Sequence, residues 1–255
     1  EVLIMSDNAI GLLVFVCIFG ASLLGMLLRP LLSPHHLSSE TKDSVKLGMG
    51  LVGTMAALIL GLLVAAAKNS YDTEKSEVIQ MAAKIVFLDR ALANYGSESA
   101  DTRDLLRRTV EGAIRRMWPE ERLPHVQLDR IGSGPEDLLK AIQQLAPKND
   151  VQLSFKSQAV GVASDLGQLR WLLFEQSGSS IAMPLLIVVI SWLAIIFLSW
   201  GLFAPSNFVA IASLLLAALS VSGAIFLILE LDQPFDGLIQ ISSAPMRNAL
   251  AHLGK

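Results

Sequence analysis

Three acidic side chains stand within seven residues at the end of the last long apolar run of the sequence: Glu230, Asp232 and Asp236. A carboxylate next to membrane hydrocarbon is costly unless it is solvated or paired. Hard cations such as Ca²⁺ bind carboxylate oxygens, although this spacing is not that of an EF-hand loop. The cluster therefore predicts a site that binds or selects cations. The alternative is a set of interfacial acids paired with Lys or Arg from the polar section in the middle of the chain.

Small residues recur every four positions along the second apolar run, so they form a stripe on one side of a helix. Two further small residues lie directly beside this stripe. The members of this small-residue stripe are Gly53, Ala57, Gly61 and Ala65, with Gly50 and Thr54. Small residues let helix backbones approach closely, which is a main source of helix association in lipid. The stripe indicates either tight packing within one chain or helices that ring an axis shared by several protomers and line a pore.

No motif of a soluble enzyme is present, so we expect no catalytic activity and no catalytic residue. The sequence has no P-loop, dinucleotide fingerprint, nucleophile elbow or zinc-protease motif. His35 and His36 are adjacent, which is more typical of solvated loop residues than of a metal site. Cys17 is the single cysteine and cannot form an intrachain disulfide. The net charge of −3 gives no reason to expect nucleic acid as a partner.

The composition is that of a membrane protein with one charged section. Of the 255 residues, 53% are apolar and only 17% are charged, below the quarter that is usual in soluble domains. Residues 69–178, which we call the charged section, hold 14 of the 20 basic and 16 of the 23 acidic residues. Membrane lipid is therefore an expected partner of the rest of the chain.

Four apolar runs are long enough to cross about 30 Å of hydrocarbon as helices. They cover residues 10–28, 45–68, 181–203 and 208–229. For the first run, a cleaved signal peptide is the alternative. The acidic residues before the run argue against it, because a signal peptide has basic residues there. The sequence predicts an all-α, polytopic membrane protein with four transmembrane helices and a helical extramembrane section between spans two and three.

The expected domain boundaries follow from these runs. Spans one and two occupy 1–68, the helical extramembrane section 69–178, a hairpin of spans three and four 179–231, and an interfacial tail 232–255. Within the tail, we expect 238–241 to lie along the membrane interface. In the hairpin turn, Ser206 or Asn207 is expected to cap the fourth span.

The charged section is predicted to be helical, and nothing breaks the chain after span two until Gly96. Apolar and aromatic residues recur at heptad spacing in two rows: Tyr71, Val78, Ile85 and Leu92, then Met81, Leu88 and Tyr95. These rows indicate either a helix packed on its own domain or a coiled-coil seam between protomers. Further helices are expected at 102–117, capped by Asp101, at 136–146 and at 151–176, with a loop over 118–135.

Basic residues near the spans give two indications of orientation that disagree. Arg29 after the first span favours a cytoplasmic 29–46 loop, whereas the flanks of the charged section and tail carry more Lys and Arg. The second count favours a cytoplasmic charged section, and we adopt that side as the working hypothesis.

Three segments together resemble a known family. Residues 230–242 read Glu-Leu-Asp-Gln-Pro-Phe-Asp-Gly-Leu-Ile-Gln-Ile-Ser, residues 61–63 read Gly-Leu-Leu with Tyr71 after them, and residues 201–207 read Gly-Leu-Phe-Ala-Pro-Ser-Asn. This pattern resembles the bestrophin-like domain family of bacterial and plant membrane proteins, whose members mostly have no assigned function. The resemblance implies a bacterial inner-membrane location and covers spans two to four and the tail.

The family label refers to bestrophins, which are pentameric anion channels with a similar order of spans. The resemblance implies a pore on span two and a regulatory Ca²⁺ near Asp232 and Asp236 as the one conceivable cofactor. This chain carries Gly, Ala and Leu where bestrophins have bulky apolar and aromatic residues at the pore neck.

Two functional hypotheses follow. The first is a homo-oligomeric ion channel in which the second spans surround the axis and Glu230 and Asp232 select ions at its mouth. The second is a membrane anchor or scaffold whose helical section binds a protein partner at 97–150. A transporter ranks third, because only Thr and Ser side chains offer polar groups within the spans.

Overall fold

The computed structural model describes residues 7–32, 38–119, 135–176, 183–235 and 237–254, and the regular structure of these residues is entirely helical. The helices are α1 Asp7–Leu28, α2 Ser39–Tyr95, α3 Ala100–Met117, α4 Pro135–Gln144, α5 Asp150–Gln176, α6 Met183–Phe203, α7 Phe208–Leu231 and α8 Ala244–His252. Four of them, α1, α2, α6 and α7, are long and apolar enough to cross a membrane. The predicted all-α fold class with four candidate spans is confirmed.

The chain divides into two compact units. The first unit comprises residues 1–71, 179–233 and 237–239, and the second comprises 72–178, 234–236 and 240–255. Helix α2 contributes to both, since it continues without a break from Ser39 to Tyr95. Its end at Tyr95 is the end predicted from Gly96, which has φ +127°, a backbone conformation that side chains other than glycine rarely adopt.

In the first unit, α1 packs on α6 and α7, and α2 adds one apolar face to their common core. Asn207 caps α7 as predicted, with its side-chain oxygen accepting a hydrogen bond of 2.8 Å from the Ala210 N–H. Arg29 donates a hydrogen bond of 2.7 Å to the Ala204 carbonyl oxygen. Both contacts fix the turn between α6 and α7.

Two glycines allow α1 and α6 to pack backbone against backbone. A Cβ atom built at Gly25 would collide with the Leu198 carbonyl oxygen, and one at Gly201 would collide with the Ser22 carbonyl oxygen. Since backbone atoms cannot rotate away as side chains can, neither position has room for a larger residue. Among the described glycines of the spans, those that meet the backbone of another helix therefore lie on α1 and α6, and not on the small-residue stripe of α2.

In the second unit, the two heptad rows of α2 are buried within the chain. Val78, Ile85 and Leu92 of one row, and Met81, Leu88 and Tyr95 of the other, are each at most 6% exposed. The unit's own helices thus cover both rows, which supports packing on the same domain and not a seam between protomers. Tyr71, the first member, belongs to the first unit.

A buried ion pair joins α2 and α3 in the second unit. Asp89, whose side chain is 5% exposed, accepts two hydrogen bonds from Arg103, at 2.7 and 2.9 Å. It also accepts a bond of 3.3 Å from the Gly254 N–H, which ties down the end of the described chain. These hydrogen bonds with Asp89 raise the pKa of the Arg103 guanidinium.

The structure corrects one expectation for this unit and adds a helix that was not predicted. Asp101 lies in the first turn of α3 and does not cap it, because the helix begins earlier, after Ser99. The tail forms α8, which packs against α3 and buries Met246 and Ala249. Helices α4 and α5 lie close to their predicted bounds, whereas the predicted loop at 118–135 lies largely outside the described residues.

We expect Gly201→Ala to destabilise the first unit by about 1–3 kcal/mol, the usual cost of overpacking. Gly223→Ala on α7 is the matched control, because a Cβ there meets nothing within 4 Å. Thermal unfolding of the detergent-purified chain, monitored as the loss of monodisperse protein, should give a lower midpoint temperature for Gly201→Ala than for the control. Equal stability of both variants would contradict the backbone contact between α1 and α6.

We expect Asp89→Asn to lower the free energy of local unfolding around α2 and α3 by about 3 kcal/mol, since it leaves Arg103 without its buried partner. Asp165→Asn is the control, because the Lys84–Asp165 pair is far more exposed and such pairs contribute about 0–1 kcal/mol. Amide hydrogen exchange measures the local opening. Similar exchange in both variants would show that the Asp89 pair is not a structural anchor.

Candidate functional site

Most of the small-residue stripe is exposed in the described chain. Gly50, Thr54, Ala57, Gly61 and Ala65 are all exposed. A Cβ at Gly50 or Gly61 would meet nothing within 4 Å, so neither glycine is needed for packing inside the chain. Gly53 is the exception, since it is half-buried and a Cβ there would lie 4.0 Å from the Ile196 side chain.

Successive residues of a helix are rotated by about 100° around its axis. Around the part of α2 in the first unit, this rotation separates the residues into three sectors that differ in burial and side-chain size. Ala56, Leu63 and Ala67 form the buried sector. The small-residue stripe lies about a third of a turn away, and exposed leucines such as Leu58 and Leu62 lie beyond it. Only 11% of the most apolar window of this helix is buried, against 28–33% in the other three spans. Most of this span is therefore left uncovered by the described chain.

Hydroxyl groups in the spans donate hydrogen bonds to their own helices. Thr54, on the stripe, donates to the carbonyl oxygens of Gly50 and Leu51, at 3.1 and 2.7 Å. Five serines do the same for carbonyl oxygens three or four residues earlier: Ser22, Ser191, Ser213, Ser220 and Ser222. Because each of these hydroxyl groups already donates its hydrogen bond to the helix backbone, it cannot donate one to a polar substrate.

Glu230 holds the turn that follows α7. Its side chain is 2% exposed, and one carboxylate oxygen accepts a hydrogen bond of 2.6 Å from the Leu238 N–H. Gly237 has φ +83°, and a Cβ at this position would collide with the same carboxylate. The carboxylate therefore fills the space that a side chain at Gly237 would take. This structural role of Glu230 was not expected from the sequence.

The other two predicted acids are placed differently. Asp232 is half-buried and follows the last residue of α7, with its N–H bonded to the Leu229 carbonyl oxygen. Asp236 lies outside the described residues. In the described ranges, no three His, Cys, Asp or Glu side chains come close enough to hold a metal ion. Ion binding or selection by Glu230, Asp232 and Asp236 stays a prediction.

Sequence reasoning missed the contact that anchors the tail in the second unit. The Trp118 indole N–H donates a hydrogen bond of 2.7 Å to the Ile241 carbonyl oxygen, and the ring meets Phe235 edge to face. Ile241, expected at the membrane interface, is 2% exposed. The helical spacing of the buried residues Met246, Ala249 and Leu253 is the signal that could have revealed α8.

We expect Gly237→Ala to be more destabilising than Gly254→Ala. Both glycines have positive φ, +83° and +86°, so both variants bear the backbone strain of a side chain in that region. Only at Gly237 does the new Cβ also collide with a buried carboxylate, whereas the space at Gly254 is open. Thermal unfolding of both variants measures the difference. Equal losses would show that Glu230 does not set the turn.

Comparison with known proteins identifies a family. The family model described as "Bestrophin-like domain" matches residues 16–246, which is most of the chain. No curated protein and no solved structure matches. The match begins within α1 and covers the other three candidate spans, the charged section and the turn held by Glu230. The chain belongs to the bestrophin-like domain family of membrane proteins.

Proposed function

We propose that this protein is a homo-oligomeric ion channel in which the α2 helices of several copies surround a common axis. The exposed small-residue stripe is the observation that carries the proposal. Gly61, Ala57 and Ala65 lie on the outside of a helix that its own chain leaves largely uncovered. Lipid-facing positions are served well by leucine, whereas glycine and alanine are typical of helix contacts.

The stripe also suits the wall of a pore. Glycine and alanine leave the space beside a helix open, and Thr54 adds a hydroxyl oxygen that can still accept a hydrogen bond. The exposed leucines of the neighbouring sector, Leu58 and Leu62, suit contact with lipid or with adjacent subunits. The bestrophin-like family and the four apolar helices support a membrane location for such an assembly.

The remaining parts of the proposal rest on the sequence. We place the protein in a bacterial inner membrane, with the charged section in the cytoplasm, as the basic residues on its flanks suggest. We assign it no enzymatic activity. Asp232 is the acid best suited to a test of ion selectivity, because a change at Glu230 also removes the acceptor of the Leu238 N–H. Asp232→Asn should lower the preference for cations.

A membrane anchor that binds a protein partner is the second candidate. It is favoured by the span hydroxyls, which are bonded to their own helices. Deleting 97–150 would not test it cleanly, because α3 supplies the buried residues Leu106 and Ile114 to the second unit. Charge removal at the exposed Arg107 and Arg108 is a gentler test. Loss of a captured partner with unchanged assembly would favour the anchor.

We expect Gly61→Leu to weaken self-association, because the larger side chain keeps neighbouring helices apart. A cost of about 1–3 kcal/mol corresponds to a fall of roughly 5- to 150-fold in the association constant. Gly48→Leu is the matched control, since Gly48 is exposed on the same helix but lies on another side of it. Light scattering in detergent gives the mass of the particle. Unchanged mass in both variants would contradict an interface at the stripe.

We expect a cysteine on the stripe to control conduction. In a Cys17→Ser background, Ala57→Cys should lose ion flux after treatment with a charged thiol reagent, whereas Leu58→Cys on the neighbouring sector should keep it. Flux is measured in liposomes that contain the purified protein. Imaging at a resolution that shows helices gives the symmetry. A sealed axis without flux would reject the channel in favour of the anchor.

A further inference from the structure

The second unit contains an apolar cavity that none of the roles above uses. It has a volume of about 170 Å³ and lies among α2, α3, α4, α5 and α8. Its walls are almost entirely apolar. Thr109 is a polar exception, and its hydroxyl donates a hydrogen bond of 2.8 Å to the Leu105 carbonyl oxygen. With that hydroxyl already bonded, the described walls offer little to hold water, and an apolar occupant is favoured.

The shape of the cavity is set by small residues on one wall and adaptable residues on the others. Ala163 and Gly167, four residues apart on α5, line it, and a Cβ at Gly167 would meet nothing within 4 Å. Met81, Met117 and Met246 line it from three other helices. Methionine side chains adjust their shape to an occupant at low cost. An apolar cavity of about 150 Å³ takes up benzene, so this one has room for an alkyl chain of about six to eight carbons.

Two exposed arginines mark the open side of the cavity. Arg116 of α3 and Arg170 of α5 line it, and none of the described lining residues is acidic. In the part of the chain that the structure describes, no carboxylate lies within 4 Å of either guanidinium. Guanidinium groups bind carboxylate and phosphate oxygens with strong, directional hydrogen bonds. Apolar walls with a positive rim are complementary to an alkyl chain with an anionic head.

We propose that this cavity binds an anionic amphiphile, with the alkyl chain among the methionines and the anionic head at Arg116 and Arg170. The head is a carboxylate or a phosphate, and the ligand is either a free fatty acid or one acyl chain of a phospholipid. The proposal does not depend on ion conduction, since the cavity lies in the second unit and the small-residue stripe in the first.

The test uses octanoate as the probe and the full chain in nanodiscs of zwitterionic lipid, with empty nanodiscs subtracted. We expect saturable binding of octanoate by calorimetry, weaker binding of butyrate because its chain is short, and no binding of octyltrimethylammonium because its charge is wrong. Absence of octanoate binding, or equal binding of the ammonium compound, would overturn the proposal.

Two kinds of variant locate the site. Gly167→Leu and, independently, Ala163→Leu fill the cavity, and each should weaken octanoate binding by about tenfold or more through loss of apolar burial. Arg116→Gln with Arg170→Gln should weaken octanoate by about tenfold while leaving octanol unchanged. Arg90→Gln, an exposed arginine outside the cavity lining, is the matched control.

Circular dichroism and gel filtration establish that each variant is folded before binding is measured. If both folded filling variants keep the affinity of the wild type, the cavity is not the site and the proposal is wrong. Mass spectrometry of retained lipids separates the two sources of the ligand. A fatty acid that is lost in Gly167→Leu identifies a free acid, and an anionic phospholipid lost in the same variant identifies a membrane lipid.

Discussion

The continuous backbone hydrogen bonding of α2 is the constraint on which the rest of the structure depends. A chain that crosses hydrocarbon must satisfy its backbone groups internally, and a helix does so without help from neighbours. The same 57-residue helix continues beyond the apolar run and supplies a buried face to the second unit. In the first unit the buried face runs through Leu63 and Ala67, and in the second through Val78, Ile85 and Leu92. One helix thus contributes a buried face to each of the two units.

Glycine has opposite uses in the two kinds of helix contact. Gly25 and Gly201 are required inside the chain, because the backbones of α1 and α6 leave no space for a Cβ. Gly50 and Gly61 have empty space around them within the chain, and glycine in a helix is otherwise unfavourable compared with alanine. Their presence is explained if something outside the chain approaches closely. The open space around Gly50 and Gly61 therefore argues against packing within one chain as the role of the stripe, which its spacing alone could not do.

Local sequence signals predicted the elements well where the determining forces are local. The four apolar runs, the end of α2 before Gly96 and the cap at Asn207 each depend on residues within a turn or two. The heptad rows could not be assigned from sequence, since burial by the same chain and burial by another copy favour the same pattern. Likewise, the acids near 230 suggested ion binding, but the burial of Glu230 depends on a turn eight residues later. The tail helix α8 was missed because its apolar residues are few and its partner, α3, is distant in sequence.

The hydrogen bond to Glu230 changes what its charge can do. The Glu230 carboxylate accepts the Leu238 N–H and is almost fully enclosed by the chain, so it presents little of its surface to water. A group at a pore mouth selects ions through the charge that it presents to water. Asp232 is less buried than Glu230 and has the greater share of its surface open to solvent in the described chain. For the proposed ion selection, Asp232 is therefore the better placed of these two acids, and Glu230 is the residue that shapes the chain beside it.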